Sequence, residues 1–308
     1  MLLAGGTGGA KLAHGLAQVL APGELSVLVN VADDTERHGL LVCPDLDTIL
    51  YTLAGLVDTR QGWGVADDTF TALAMLERLG EDAWFRIGDA DLAVHVRRNH
   101  LLQQGLSLTD ATADMAAALS VGARILPATD DPVRTRVRTD EGEIDFQEYF
   151  VRRGQADEVR GLRFDGVKAA RPTTRSLEAL AGADLVLIGP SNPLVSIGPI
   201  LALPGMRETV AESGRRRIGV SGIVAGRAIR GPADRMLGSL GHEASARGVA
   251  RMYAGLLDTF VIDQADAGLA TDIQGLGMHA AILPTVMRTD ADRAELARSI
   301  LHLAEGAA

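Results

Sequence analysis

The chain opens with Met1-Leu2-Leu3-Ala4-Gly5-Gly6-Thr7-Gly8-Gly9-Ala10-Lys11, a short apolar run that breaks into glycines. The apolar run predicts a buried strand, the glycines predict a tight turn, and the pattern from Ala10 to Leu20 predicts an amphipathic helix. A second strand is predicted over Leu25 to Asn30, because this segment is apolar and has the length of a strand. The opening of the chain therefore predicts a βαβ unit, which is typical of nucleotide-binding α/β proteins.

The glycine turn is a candidate phosphate site. Glycines let the backbone approach a ligand closely, and the first N–H groups of the helix that follows favour a negative charge. The pattern is neither a complete G-x-G-x-x-G nor a P-loop, because Ala10 precedes Lys11 and Leu12 follows it. Glycines that only allow the helix to pack closely on the strand would give a similar pattern. The residues expected to bind nucleotide phosphates are Gly6, Thr7, Gly8, Gly9 and Lys11.

Four aspartates follow the second predicted strand. Asp33 and Asp34 come soon after it, and Asp45 and Asp47 open the next helix behind Pro44. Capping of that helix requires only one of them. Four carboxylates near the ends of strands and the beginnings of helices fit better with a Mg²⁺ ion that faces a diphosphate. The metal ligands predicted from the sequence are Asp33, Asp34, Asp45 and Asp47.

The βαβ rhythm stops in the middle of the chain. Between residues 57 and 174, short helices and alternating segments predict a mixed α+β insertion. The segment includes a predicted hairpin, with strands over Arg134 to Arg138 and Ile144 to Val151 joined by a turn at Asp140 to Glu143. Before it, the residues from His38 to Cys43 are expected to form a loop.

The parallel pattern resumes with a strand over Leu185 to Ile188 and a constrained loop from Gly189 to Pro199. Open α/β sheets bind their ligands outside the carboxyl ends of the strands, so Ser191 and Asn192 are expected to bind the nucleotide. The predicted fold class is α/β, a Rossmann-like and mostly parallel sheet flanked by helices. Its core is expected to comprise residues 1–56 and 175–308, with the insertion at 57–174.

Composition and charge exclude several classes of function. The 308 residues carry a formal net charge of −10, which repels nucleic acid and anionic membranes. The one basic run, Arg215-Arg216-Arg217, is expected to be a solvated turn. A single cysteine, Cys43, excludes an intrachain disulfide and a multi-cysteine zinc site. No apolar run is long enough to cross a bilayer, so we expect a cytoplasmic protein that binds neither nucleic acid nor membrane. A homodimer is expected because it is the commonest assembly of enzymes of this size.

Several segments, in order along nearly the whole chain, carry a resemblance to a known family. They are Gly5-Gly6-Thr7-Gly8-Gly9-Ala10-Lys11, Cys43-Pro44-Asp45-Leu46-Asp47-Thr48, Ile87-Gly88-Asp89-Ala90-Asp91-Leu92-Ala93, Phe146-Gln147-Glu148 and Gly189-Pro190-Ser191-Asn192-Pro193-Leu194-Val195-Ser196-Ile197-Gly198-Pro199-Ile200. On these segments the sequence strongly resembles the 2-phospho-L-lactate transferase family, which completes the phosphodiester of coenzyme F420-0.

The resemblance implies a transferase in coenzyme F420 biosynthesis. The hydroxyl of the deazaflavin FO would attack a phosphorus of a guanosine diphosphate ester, so that a phospho-carboxylate moves to FO and GMP leaves. It also implies Mg²⁺ as cofactor, and FO contacts that correspond to Asp47 and Arg86 in this chain. Some relatives carry Lys at the position of Arg86, and either residue supplies a cation.

The chemistry of the residues agrees with such a transfer. Displacement at phosphorus requires neutralisation of the diphosphate charge and an aligned nucleophile. Asp45 and Asp47 could hold the metal, and one of them could accept a hydrogen bond from the attacking hydroxyl; the sequence does not assign these two roles. Asp47→Asn is expected to abolish transfer and to leave the fold intact. Trp63 and Phe85 could stack on the deazaflavin or simply pack in the core.

The donor and the function class each leave alternatives. The transferred group could be 2-phospholactate, phosphoenolpyruvate or phosphoglycerate, since these differ by few atoms. A related family with a similar glycine turn suggests a non-catalytic regulator that binds nucleotide sugars. A regulator needs no acceptor pocket, so the insertion favours the transferase. An NAD-dependent oxidoreductase is disfavoured by the incomplete glycine fingerprint.

Overall fold

The computed structural model describes residues 1–214 and 216–306. Arg215 of the basic run, Ala307 and Ala308 lie outside the described residues. The strands are β1 (Leu2–Ala4), β2 (Ser26–Val29), β3 (Thr35–Arg37), β4 (Leu40–Val42), β5 (Arg124–Pro127), β6 (Arg134–Thr139), β7 (Gly142–Asp145), β8 (Gly161–Asp165), β9 (Leu185–Ile188), β10 (Arg216–Val220), β11 (Ile223–Val224), β12 (Arg227–Ala228), β13 (Thr259–Ile262) and β14 (His279–Ile282).

Helices connect most of these strands. The α-helices are α1 (Gly6–Val19), α2 (Pro44–Leu53), α3 (Thr71–Arg78), α4 (Asp89–Gln103), α5 (Leu108–Ala118), α6 (Thr174–Ala181), α7 (Ile197–Leu201), α8 (Met206–Glu212), α9 (Ala233–Ser239), α10 (Ala246–Met252), α11 (Ala270–Gln274) and α12 (Asp290–Gly306). A π-helix spans Glu148–Arg152 and a 3₁₀-helix spans Gln264–Leu269. Among the described residues, no helix combines the length and the apolar character needed to cross a bilayer.

A parallel sheet forms the centre of the fold. Within the described residues it contains seven strands in the order β14-β13-β10-β9-β1-β2-β5, and every neighbouring pair is parallel. The chain runs outward from β1 to β2 and β5 on one side, and from β9 to β10, β13 and β14 on the other. The order therefore reverses between β1 and β9, where open α/β sheets bind ligands. The predicted α/β, Rossmann-like fold class is confirmed.

Helices cover both faces of the sheet. Leu3 and Leu28 belong to one hydrophobic core, while Leu2 and Val27, their neighbours in the chain, belong to the other. Successive residues of a strand point to opposite faces, so strands that are buried on both faces are continuously apolar. This explains why the central strands have no alternation of polar and apolar residues. The edge at the carboxyl ends of the strands is where loops and helix N-termini meet.

Strand β5 lies within the segment assigned to the insertion. It pairs with β2 in the central sheet, with Val27 opposite Ile125. Helix α5 precedes β5 directly and completes a crossover connection from β2. The division of the chain into a core and an insertion stays a prediction, and β5 shows that residues from the middle of the chain contribute to the central sheet.

Three local predictions were wrong. The expected loop from His38 to Cys43 contains β4, which pairs with β3 in an antiparallel hairpin. The expected strand from Ile144 to Val151 ends at Asp145. It gives way to helical backbone, which brings the rings of Phe146 and Phe150, four residues apart, close enough to stack with their centroids 5.4 Å apart. In the basic run, Arg216 and Arg217 belong to β10 and not to a turn.

Candidate active site

The glycine turn lies at the point where the sheet order reverses. Helix α1 begins at Gly6, four residues before the predicted start, so the glycines form its first turn. Gly6 has a φ of +61°, a left-handed value that favours glycine. A Cβ on Gly9 would lie 2.7 Å from the Cβ of Ala4, and one on Gly8 would collide with the carbonyl of Pro190. These two glycines therefore permit close packing of α1 on β1 and on the loop after β9, whatever else they bind.

The loop after β9 packs against this turn. The Oγ of Ser191 accepts a hydrogen bond from the amide of Gly5 at 3.1 Å, which joins the two sides of the reversal point. Asn192 is oriented differently, because its Oδ1 accepts the amide of Leu194 at 2.9 Å within its own loop. The structure thus brings Ser191 to the glycine turn, while the side chain of Asn192 stabilises a local turn. Their roles in nucleotide binding stay predictions.

Thr7 and Lys11 project from α1 one helical turn apart. The Oγ1 of Thr7 lies 3.4 Å from the carbonyl oxygen of Gly62, in the segment between α2 and α3. The half-buried Nζ of Lys11 donates to the carbonyl oxygen of Met287 at 3.0 Å. Both side chains therefore contact backbone carbonyls of other segments.

A first acidic cluster contains Asp33 and Asp45, which are both buried. Asp45 Oδ1 accepts the amide of Gly6 at 2.5 Å, so the N-terminus of α1 already has a carboxylate acceptor. The side-chain amide of Asn30, at the end of β2, donates to Asp45 Oδ2 at 3.0 Å and to Asp33 Oδ1 at 3.2 Å. One amide group thus holds two carboxylates together next to the glycine turn.

The first cluster is electrostatically unfavourable without a cation. Burial raises the pKa of Asp45 to about 6, and its hydrogen bonds from Asn30 and Gly6 oppose that rise. Burial and the negative charges of Asp45 and Asp34 raise the pKa of Asp33 well above its usual range. Closely spaced, buried carboxylates of this kind are stabilised by a divalent cation. The residues present therefore fit a Mg²⁺ ion.

Asp34 lies between the two acidic clusters. Burial raises its pKa to about 7, against the effects of Arg134 and of a hydrogen bond with Cys43. Its Oδ1 has no hydrogen-bond partner among the described residues. The thiol of Cys43 is buried, and burial raises its pKa well above the ordinary value. Cys43 is therefore not a reactive thiolate.

A second acidic cluster is centred on Asp47. Its carboxylate forms an ion pair with the guanidinium of Arg98 in α4. Nη2 donates to Oδ1, and Nη1 donates to Oδ2 at 3.3 Å. Arg98 is only 1% exposed. Asp45 and Asp47 point to different partners because residues two apart on a helix differ in direction by about 200°. The structure thus divides the four predicted metal ligands, with Asp33 and Asp45 beside the glycine turn and Asp47 beside α4.

His95 and Asp91 extend the second cluster along α4. The hydroxyl of Tyr51 donates to Asp91 Oδ1 at 2.6 Å, and His95 Nε2 lies 3.3 Å from the same oxygen. Ligand atoms of Asp47, Asp91 and His95 lie within 4.8 Å of one another, a spacing that suits a metal. A buried guanidinium already neutralises Asp47, however, and it would repel a divalent cation placed there. The first cluster is therefore the better candidate for Mg²⁺.

Arg86 lies in the exposed segment before α4. Its guanidinium carbon is 4.2 Å from the ring centroid of Phe70, a cation–π contact. Among the described residues, no hydrogen bond or ion pair links Arg86 to Asp47, so the structure does not join the two expected FO contacts directly. Phe85 packs edge-on against Trp84, with 5.7 Å between the ring centroids. Trp63, by contrast, is 45% exposed.

Sequence reasoning missed the buried partners of Asp47. From the sequence alone, Arg98 could either reach a phosphate or cover a helix face, and His95 has no assigned role. The signal was weak because the apolar residues of α4 do not form a single stripe, so the pattern does not identify the buried face. The partner also lies about fifty residues further along the chain, a separation that no helical periodicity can bridge.

Comparison with known proteins identifies relatives over the whole length. The model of the family 2-phospho-L-lactate transferase CofD matches residues 1–280. A phosphoenolpyruvate transferase from Streptomyces griseus is 42% identical over 312 residues, covering 99% of this chain and 98% of that protein. A 2-phospho-L-lactate transferase from Methanosarcina mazei is 39% identical, covering 98% of this chain and 99% of that protein.

Solved structures support the fold independently. A crystal structure of protein BH3568 from Bacillus halodurans superposes with a TM-score of 0.64, covering 97% of this chain and 98% of that one. The two sequences are only 16% identical, so the likeness concerns the fold alone.

Proposed function

Because the chain belongs to the 2-phospho-L-lactate transferase CofD family, we propose that it transfers a phospho-carboxylate from a guanosine diphosphate ester to the hydroxyl of the deazaflavin FO. GMP is the second product. The chain is a transferase for a phosphoenolpyruvate or phospholactate moiety, as its relatives are. Membership of an enzyme family argues against the alternative of a non-catalytic nucleotide-sugar-binding regulator.

One observation carries the donor half of the proposal. The glycine turn after β1 and the loop after β9 meet where the sheet order reverses, linked by the hydrogen bond from Gly5 to Ser191. Ligands of open α/β sheets bind in this crevice. The guanosine diphosphate would therefore lie along Gly6, Thr7, Gly8, Gly9 and Lys11 on one side and Ser191 and Asn192 on the other.

Mg²⁺ is the cofactor of the proposal. Asp33 and Asp45 would hold it, because they share the amide of Asn30 and lie buried beside Gly6. Magnesium is commonly bound by one or two carboxylates together with substrate phosphates. When bound, the ion would neutralise charge on the diphosphate. Asp34 has an oxygen without a hydrogen-bond partner among the described residues and would be the next candidate, whereas Asp47 is already paired with Arg98.

The acceptor half rests on Asp47 and Arg86. Arg98 fixes the carboxylate of Asp47, and its buried position makes the orientation well defined. A fixed carboxylate can accept the proton of the FO hydroxyl as the oxygen attacks phosphorus. Arg86 is exposed and stacked on Phe70, so that it offers a cation and an aromatic face to a planar ligand.

The chemical step is a displacement at phosphorus. The FO oxygen forms a bond to the phosphorus that carries the carboxylate unit, and the bond from that phosphorus to the bridging oxygen breaks. The bridging oxygen leaves with GMP, and the hydroxyl proton passes to a base. Positioning and charge neutralisation are the main contributions of the protein to such reactions.

We also propose the class of the transferred phospho-carboxylate, the oligomeric state and the cellular location. The named relatives include transferases of both phosphoenolpyruvate and 2-phospho-L-lactate, so the donor is proposed as a class that also includes phosphoglycerate. A homodimer and a cytoplasmic location are likewise proposals. Light scattering of the purified chain tests the homodimer, which predicts twice the mass of 32.4 kDa.

Incubation with FO, Mg²⁺ and each activated donor, followed by mass measurement of the deazaflavin product, tests the function. We expect one donor to add its phospho-carboxylate to FO and to release GMP in equal amount. Binding of a guanosine diphosphate donor without any FO product, in the presence of Mg²⁺, would contradict the transferase and favour the regulator. Omission of FO is the control for simple hydrolysis of the donor.

A further inference from the structure

Two cations beside the glycine turn have only neutral partners. The ammonium of Lys11 donates to the carbonyl oxygen of Met287 at 3.0 Å. The guanidinium of Arg230, in the loop after β12, donates to the carbonyl oxygen of Arg60 at 3.1 Å and to that of Gln61. Among residues 1–214 and 216–306, no ion pair links either cation to an acid.

Arg230 and Lys11 converge on one place although they come from distant parts of the chain. Thr7 and Lys11 are four residues apart on α1 and therefore share a face. A Cβ on Gly62 would lie 2.7 Å from Thr7 Cγ2 and would collide with the Arg230 guanidinium, so both contact the same glycine. Burial, followed by the positive charges of Arg293 and Arg230, lowers the pKa of Lys11.

The lack of acidic partners for Lys11 and Arg230 among the described residues is unusual, because acidic residues outnumber basic ones in this chain. It has 40 acidic residues and only 30 Lys and Arg residues, and many of its arginines form ion pairs. Arg293, the other cation near Lys11, is paired with Asp290 at 3.0 Å. Two cations held close together by carbonyls alone repel each other, and an anion between them removes that repulsion.

The geometry of Arg230 suits a phosphate ligand. A guanidinium carries its N–H donors in a rigid plane, and two carbonyl acceptors leave several of them available. The carbonyls of residues 60 and 61 fix its plane without neutralising its charge. Arginine in such a setting binds planar or tetrahedral anions through paired hydrogen bonds.

We propose that Arg230, together with Lys11, binds the diphosphate of the donor substrate. The assignment rests on the proposed function and adds to it a residue that lies outside the glycine turn. The diphosphate is the favoured anion because Thr7, in the first turn of α1, lies against Gly62 together with Arg230 and shares a helix face with Lys11. The loop that contains Gly62 holds Arg230 in place for this contact.

Calorimetric titration of the wild-type chain and of Arg230→Gln with GDP and GMP, in Mg²⁺, tests the proposal. We expect the dissociation constant for GDP to rise about tenfold in the variant, as is typical for loss of a charge-assisted hydrogen bond. The constant for GMP should change much less, because GMP lacks the second phosphate. The affinity for FO should stay at the wild-type value, and Arg230→Lys should recover part of the GDP affinity.

Arg298→Gln is the matched control. It removes the same charge from an exposed site on α12, where Arg298 pairs with Glu295 at 3.4 Å. We expect wild-type affinity for GDP in this variant. Equal GDP affinities in wild type and Arg230→Gln would overturn the proposal, as would equal losses for GDP and GMP.

A titration with pyrophosphate distinguishes the anion site at Arg230 from the proposed guanosine diphosphate donor. Binding of pyrophosphate that weakens in Arg230→Gln, without any binding of GDP, would support the anion site and contradict the guanosine donor. Binding of neither anion by the wild-type chain would overturn both. Tight GDP binding that is independent of Arg230 would leave the donor assignment intact and overturn only the role of Arg230.

Discussion

Asp47 is expected to accept a proton in catalysis, and it is also half of a buried ion pair. Its partner Arg98 is 1% exposed, so its charge has no contact with water. Removal of one partner from a buried ion pair is strongly destabilising, because the other charge stays buried without compensation. The expectation that Asp47→Asn leaves the fold intact therefore needs revision, since the variant would leave the guanidinium of Arg98 without its counter-ion.

Asp47→Asn should lose both activity and stability. We expect transfer to FO to fall below detection, because the variant has no carboxylate to accept the hydroxyl proton. We also expect the free energy of unfolding to fall by about 3 kcal/mol, the usual effect of leaving a buried charge unpaired. Urea denaturation measures the second effect and product mass measures the first.

The double variant Asp47→Asn/Arg98→Met separates the two effects. Replacement of a whole buried ion pair by groups of similar volume is often neutral. The double variant should therefore recover most of the lost stability but none of the transfer activity. Recovery of transfer together with stability would show that Asp47 has only a structural role.

Helices α3 and α4 hold each other by reciprocal capping. Asp68, before α3, accepts the amides of Ala90 and Asp91 in α4 at 2.9 and 3.1 Å. Asp89, the first residue of α4, accepts the amides of Thr71 and Ala72 in α3 at 3.0 and 2.9 Å. Phe70 and Arg86 lie next to these caps. The caps therefore fix the segment that would bind FO.

Asp89→Ala should loosen α3 without unfolding the protein. Only Leu73 of that helix is buried, so its N-terminal hydrogen bonds carry much of its stability. We expect amide exchange in Thr71–Arg78 to accelerate about fivefold, as loss of a helix cap typically causes, and the affinity for FO to fall. Hydrogen exchange and titration with FO measure these effects.

The effect of Asp89→Ala should not depend on pH between 5 and 8. The hydrogen bonds from Thr69 and Ala72 lower the pKa of Asp89 to about 2, so the cap stays charged throughout this range. A carboxylate whose pKa is lowered by folding stabilises the fold at any pH above its pKa in the unfolded chain. This stabilisation is lost only as the pH falls through its pKa in the folded chain. Asp82→Ala is the control, because it removes a carboxylate from the segment between α3 and α4 that does not cap α3. We expect this variant to keep the wild-type amide exchange in Thr71–Arg78.

The sequence predicted elements with clear ends well and the shortest strands poorly. Strand β9 has the predicted bounds, because it is a continuous apolar run with clear ends. Strands β3 and β4 have three residues each, too few to establish a period of two. The place of β5 in the central sheet depends on pairing with β2, which no local pattern reveals.

The topology of the central sheet explains why part of the site was predictable. The carboxyl ends of parallel strands meet at one edge, so the residues after β1, β2 and β9 had to be near one another. Helix periodicity also implies that Asp45 and Asp47 face different directions, although both were predicted as ligands of one metal ion. The partners Arg98 and Arg230 could not be predicted, because they reach the site through tertiary packing alone.

The buried acids couple the stability of the whole chain to pH. The folded chain holds a proton on Asp45 up to about pH 6, whereas an unfolded chain releases it near its ordinary value. Because the folded state binds more protons in that interval, the free energy of unfolding falls as the pH rises through it. The N-terminal ammonium and His14 have lowered pKa values and act in the opposite direction, so the effect of Asp45 must be isolated.

Comparison of the wild-type chain with Asp45→Asn isolates it. At pH 5 both side chains are neutral, and we expect similar melting temperatures. At pH 8 and without Mg²⁺, the variant should be more stable by on the order of 2 kcal/mol, since it avoids a buried charge. Addition of Mg²⁺ at pH 8 should raise the melting temperature of the wild type and not of Asp45→Asn, because only the wild type retains both carboxylates of the proposed site. An equal rise in melting temperature of the two proteins with Mg²⁺ would show that Asp45 is not a metal ligand. If the wild type instead became more stable than the variant as the pH rises, the raised pKa of Asp45 would be contradicted.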